Sequence, residues 1–188
     1  MADEKKSGYG VVLAIAAPLL VVAILLGIIL FVLSPANACG VGTGTRVNTD
    51  AMPTEPVAGY EDDQLMNAAY IMNAAIDLGL DRDAQVLGVM TAMGESSLVN
   101  IDYGDGETNG VRNPDGSPTT SIGLFQQQDS WGTPQERMDP TTAATLFYDR
   151  LVLVDGWATM EPTLAIHKVQ RNADPYHYEK FYEDAVDV

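Results

Sequence analysis

A mainly helical exported domain, with a small irregular β/loop region and one transmembrane helix before it, is the architecture these 188 residues predict. Three observations predict it. Residues 11–33 (VVLAIAAPLLVVAILLGIILFVL) carry no charged or polar side chain. Later segments repeat apolar residues at helical spacing behind recognisable caps. Residues 104–121 have one aliphatic side chain, Val111, among Gly, Asp, Asn and Pro, so they read as a surface loop or irregular hairpin.

At about 1.5 Å per residue, the apolar run makes a helix of roughly 34 Å, enough to cross a bilayer core of about 30 Å. A cleaved signal peptide is the competing reading, because Ala36-Asn37-Ala38 has the A-x-A form. Signal h-regions, however, usually end at about 7–15 residues, which favours a retained anchor. Lys5 and Lys6 flank its first end and only Arg46 lies near the other, placing residues 1–10 in the cytoplasm as a tail. The expected location is therefore the cell membrane, single-pass, with the domain on the extracellular side. Residues 34–60 are rich in Gly, Thr and Pro without periodicity and are expected to be a flexible tether. Cys39 is the one cysteine, which excludes an intramolecular disulfide framework.

The folded domain is expected over residues 61–188. Leu65, Ala68, Ala69, Met72 and Ile76 define one helix face, and Gly79 suits its end. Asp81 or Asp83 can cap a second helix, where Val86, Val89, Met90 and Met93 make it a core element running into Gly94-Glu95-Ser96-Ser97. Asp139-Pro140 and Asp174-Pro175 each pair an N-cap acid with a proline fitted to the first helical turn. The first opens a helix with Ala144, Phe147, Tyr148 and Leu151 inward. The second opens one with Tyr178, Phe181, Tyr182 and Ala185 inward. Pro162 starts a shorter helix through Ala165, Ile166 and Val169. The total is about five helices.

Charge and ligand counting narrow the chemistry. Outside the membrane segment and the tail, 24 acids face 8 bases, so nucleic acid is not an expected partner. His167 and His177, ten residues apart, form no zinc motif and read as exposed helix residues. No G-x-S-x-G elbow is present, and Cys39 lies outside the expected fold. Asp102, Asp105, Glu107 and Asp115 do not follow the EF-hand spacing, so no metal or other cofactor is expected. Carboxylate chemistry remains. Glu95 stands apart because it closes an apolar helix instead of sitting on a charged face.

Gly94-Glu95-Ser96-Ser97-Leu98-Val99-Asn100, then Ser121-Ile122-Gly123-Leu124-Phe125-Gln126-Gln127, then Val169-Gln170 resemble the lytic transglycosylase family of the goose-lysozyme-like superfamily. The likeness spans nearly all of residues 61–188 and is strongest to divergent forms from Gram-positive bacteria, their phages and mobile elements. It implies a lysozyme-like fold and cleavage of peptidoglycan between N-acetylmuramic acid and N-acetylglucosamine. It makes Glu95 the catalytic residue of the E-S-x-L element. Gly123, Leu124, Phe125 and Gln126 line the glycan groove as the G-L-F-Q element, and Gln126 holds substrate or a polar group near Glu95. Ser96 would orient the carboxylate, with Gln170 and Tyr178 as further groove residues. Two departures stand out. Gly94 occupies a position where such proteins often have Gln, and Ala165-Ile166-His167 and Val169-Gln170 lie where other members carry A-Y-N.

A single glutamate suffices for this reaction. It must be protonated to serve the leaving oxygen, and an apolar setting raises a carboxyl pKa by desolvation. The substrate's acetamido oxygen can replace the second carboxylate of an ordinary glycosidase, and the muramic 6-hydroxyl can replace water. Two rivals are a hydrolytic muramidase, with Asp102 or Asp105 as second carboxylate, and a catalytically silent glycan-binding module of a secretion, conjugation or phage assembly.

Overall fold

The computed structural model describes residues 43–103, 112, 115–117 and 119–188. The expected cytoplasmic tail (1–10), transmembrane helix (11–33), Cys39 and the start of the tether lie outside the described residues. Among those described, no helix is long and apolar enough to cross a membrane. The folded unit runs over Gly42–Val188.

It is mainly helical. The α-helices are α1 (Asp62–Asp77), α2 (Arg82–Ser96), α3 (Pro134–Met138), α4 (Pro140–Leu151), α5 (Pro162–Gln170) and α6 (Tyr182–Asp187). Single 3₁₀ turns occupy Asp129–Trp131, Trp157–Thr159 and Glu179–Phe181. The β content among described residues is confined to isolated bridges, such as Val57 with Tyr60 and Ile122 with Gln127.

Helix α2 is the axis of the fold. Every residue from Ala84 to Met93 is buried, and α1, α4, α5 and α6 pack around it. The expected caps form: Asp81 accepts from the Ala84 amide at 3.1 Å and Asp139 from the Thr142 amide at 2.8 Å. Close helix approach depends on Gly88, where a Cβ would lie 2.1 Å from the Tyr148 hydroxyl and 2.8 Å from Ile71. Tyr148 is fully buried there, its hydroxyl 3.3 Å from the Ile71 carbonyl.

Three expectations need correction. Residues 43–60 are not a free tether. Gln85, 1% exposed, donates to the Thr45 carbonyl at 2.7 Å and accepts from its amide at 2.8 Å. Asn73 pairs with both backbone groups of Val47 at 2.8 and 2.9 Å, and Arg46 forms an ion pair with Asp77. Polar side chains on helix surfaces have found their partners in the preceding segment, so the domain begins well before residue 61. Second, no helix starts at Asp174. Its carboxylate accepts from the Tyr176 amide at 2.9 Å, an Asx turn that competes with helix initiation, and α6 begins only at Tyr182. Tyr182 itself is 40% exposed and not an inward residue. Third, a helix went unread at Pro134–Met138, where Thr133 and Glu136 form a complete capping box.

Candidate functional site

The site begins at the C-terminal end of α2. The helix stops because Ser97 and Leu98 both take left-handed backbone angles (φ 54° and 60°). Their amides return to the helix, Ser97 to the Met93 carbonyl at 3.0 Å and Leu98 to that of Ala92 at 3.1 Å. Leu98 is fully buried and anchors the reversal. From α1, Gln64 and Asn67 donate to the carbonyls of Ser97 and Leu98 at 2.7 and 2.9 Å. Glu95, half-buried, thus sits in the last turn of a helix whose end is pinned from two sides.

Tyr178 meets it. The phenol is fully buried and its hydroxyl donates to Glu95 Oε1. Burial first, then the neighbouring carboxylate and that hydrogen bond, push the Tyr178 pKa up, so the hydroxyl stays a donor at neutral pH. A donor at a carboxylate favours its ionised form, opposite in sense to the effect of burial. Gly94 explains how the ring comes so close: a Cβ there would lie 2.5 Å from Tyr178 Cδ1. His177, expected as an exposed helix residue, instead lies in a turn, half-buried, with Nε2 3.2 Å from the Gly94 carbonyl and its ring edge-on to Tyr178 at 4.8 Å. His167 is also half-buried, with Nδ1 2.9 Å from the Asn172 side-chain oxygen.

A second tight structure abuts this helix end. Ile122 and Gln127 exchange backbone hydrogen bonds at 3.1 and 3.0 Å, closing a loop around Gly123-Leu124-Phe125-Gln126. Gly123 (φ 77°) is obligatory here, since a Cβ would lie 2.2 Å from the Arg137 carbonyl. Arg137, nearly buried, holds the loop by donating to the carbonyls of Thr120 and Gln127 at 2.7 and 2.8 Å. Sequence reading missed this residue, although its place in the Thr133 capping-box helix was available as a signal.

The residues singled out by sequence come together, but several do different work from that expected. Leu124 and Phe125 are fully buried, and Phe125 stacks on Phe147 at 5.2 Å. Their side chains anchor the loop and do not line a groove. Ser96 is buried as well, its hydroxyl 2.9 Å from the Leu124 carbonyl and 3.1 Å from that of Ala92, so it fastens loop to helix instead of steering the carboxylate. Gln170 donates to the Phe125 carbonyl at 3.0 Å from the end of α5. Gln126, half-buried at φ 44°, folds its amide back to the Gly123 carbonyl at 3.1 Å. Asp102 is exposed, and Asp105 lies outside the described residues. Among the described residues, no group of three or more His, Cys, Asp or Glu side chains converges as metal ligands would.

The arrangement is a carboxyl group on a rigid helix end, contacted by a phenol that keeps its proton and linked through Ser96 to a braced loop. Such a constellation can give and retake a proton at one fixed point. No family model matches this chain, and no curated protein matches it.

Proposed function

We propose that this chain is a glycan-cleaving enzyme of lysozyme-like fold, using one carboxylic acid. Its particular reaction is that of a membrane-anchored peptidoglycan lytic transglycosylase. The observation that carries the reading is Glu95 at the terminus of a buried helix, with the buried Tyr178 hydroxyl on its carboxylate. The Ser96 hydroxyl beside the Leu124 carbonyl adds support, because it joins the two motifs on which the family resemblance rests.

Protonated Glu95 gives its proton to the oxygen linking muramic acid to the next glucosamine. As that bond breaks, the muramic acetamido oxygen closes on C1. The Glu95 carboxylate then removes the proton of the muramic 6-hydroxyl, whose oxygen attacks C1 and releases the acetamido group. The products are a free 4-hydroxyl and a 1,6-anhydro end, with no water consumed and the proton returned to Glu95. Tyr178 stabilises the carboxylate present between the two transfers. Because that contact also opposes protonation of free Glu95, substrate must tip the balance by expelling water around the carboxyl. Gln126 and Gln170 are the polar groups assigned to the glycan, and Gly123 shapes the turn that carries Gln126.

Digestion of purified glycan strands, read by mass, tests this. Anhydro-muramic ends are the expected product. Reducing muramic ends alone would identify a hydrolase, and intact strands would favour a silent binding module.

A further inference from the structure

The eight bases that follow the membrane segment are not spread evenly. Three of them, Arg150, Lys168 and Arg171, line one cleft of about 580 Å³ that has no Asp or Glu in its wall. In a chain of net charge −16, this is a local reversal of sign. Among the described residues the one ion pair is Arg46 with Asp77, so none of the three cations is held in a salt bridge, while the Asp149 charge acts on Arg150 through space. The Arg150 guanidinium lies 3.8 Å over the Trp131 ring, with one nitrogen 2.9 Å from the Leu146 carbonyl, which fixes it in place. Lys168 and Arg171 flank Gln170 at the end of α5, and Arg171 turns off the helix at φ 58°. Leu153, 82% exposed, supplies an apolar rim.

The cleft borders the proposed catalytic loop. Gln170 belongs to its wall and also donates to the Phe125 carbonyl at 3.0 Å. We infer that this cleft receives the carboxylates of the peptide stems attached to the glycan strand, an inference that rests on the peptidoglycan reading above. Clustered cations match planar carboxylates, arginine in a forked pair. The exposed Leu153 and the Trp131 ring match the alanyl methyl groups of such stems, for which a phosphodiester polymer has no counterpart. A net charge of −16 disfavours an anionic stem on most of the remaining surface, so the cleft orients the strand as well as holding it.

The test uses the full chain in detergent micelles and calorimetric binding of a muramyl tetrapeptide with free carboxyl groups. Comparison ligands are the same tetrapeptide with its carboxyls amidated, and inorganic phosphate. Amidation, or the double substitution Lys168→Gln with Arg171→Gln, is expected to weaken binding about tenfold or more. Leu153→Ser should weaken the tetrapeptide without changing phosphate binding. The doubly substituted protein should still cut strands stripped of peptides at the wild-type rate. Equal affinity for free and amidated peptides, or for wild type and the double variant at unchanged Tm, would overturn the assignment. Tighter binding of phosphate than of tetrapeptide would overturn it also. A wild-type protein that binds the tetrapeptide selectively yet cuts no strands would uphold the cleft and refute the transglycosylase reading.

Discussion

Glu95 and Tyr178 can touch because residue 94 has no side chain. Alanine at 94 would ordinarily stabilise a helix by about 1 kcal/mol. Here its Cβ would meet the Tyr178 ring at 2.5 Å, so Gly94→Ala is expected to cost about 1–3 kcal/mol net through overpacking. Activity should fall further than stability, because the displaced ring carries the hydroxyl. Thermal melts and strand-cleavage rates on one preparation check both. Tyr178→Phe separates packing from proton chemistry. It keeps the ring and removes the donor that favours ionised Glu95, so the alkaline limb of the activity profile should move to higher pH. An unmoved limb would leave Tyr178 with a packing role alone. Glu95 was legible in the sequence as a carboxylate at the end of an apolar run followed by the E-S-x-L pattern. The partnership with Tyr178 was not, nor was the contact of His177 with the Gly94 carbonyl, since groups 83 residues apart meet only after the chain folds.

At the scale of elements, periodicity and capping located most helices. Those signals are local: an apolar stripe and the acid before it lie within a few residues of each other, as at Asp81 and Asp139. They failed at Asp174 because an N-cap and an Asx turn begin with the same residue type and differ only in which amide is bound. They also concealed the purpose of G-L-F-Q. Leu124 and Phe125 resemble groove residues in sequence but are the buried feet of the loop, leaving its carbonyls to face Ser96 and Gln170. Ser96→Ala removes the loop fastening and leaves the Leu124 carbonyl without that donor, an expected loss of about 1–3 kcal/mol. If Ser96 acted on the Glu95 carboxylate instead, the substitution would shift the pH profile with little change in Tm.

For the whole molecule, the boundary of the domain matters most. Residues 43–60 look like a linker because their apolar content is low and their partners, Gln85 and Asn73, are polar positions on distant helices. A chain starting at residue 61 strips Gln85 of both Thr45 bonds and leaves it the bond to the Met72 carbonyl at 3.0 Å. We expect it to be about 1–3 kcal/mol less stable than one starting at 43, several degrees in Tm. Equal melting would restore the tether reading. Stability should also fall above about pH 10, the ordinary tyrosine value. Tyr60, Tyr148 and Tyr178 hold their protons more tightly when folded, chiefly through burial, so the unfolded chain loses them first and is favoured as pH rises. Urea titrations across that range, with phenolate absorbance, follow the effect. Within this framework the proposed chemistry rests on Glu95, and mass analysis of glycan strands digested by wild type and by Glu95→Gln tests it. Anhydro-muramic ends are expected from wild type, and a rate lower by about 10²–10⁴ in a variant that melts normally. Strands cut equally well by both proteins would contradict it.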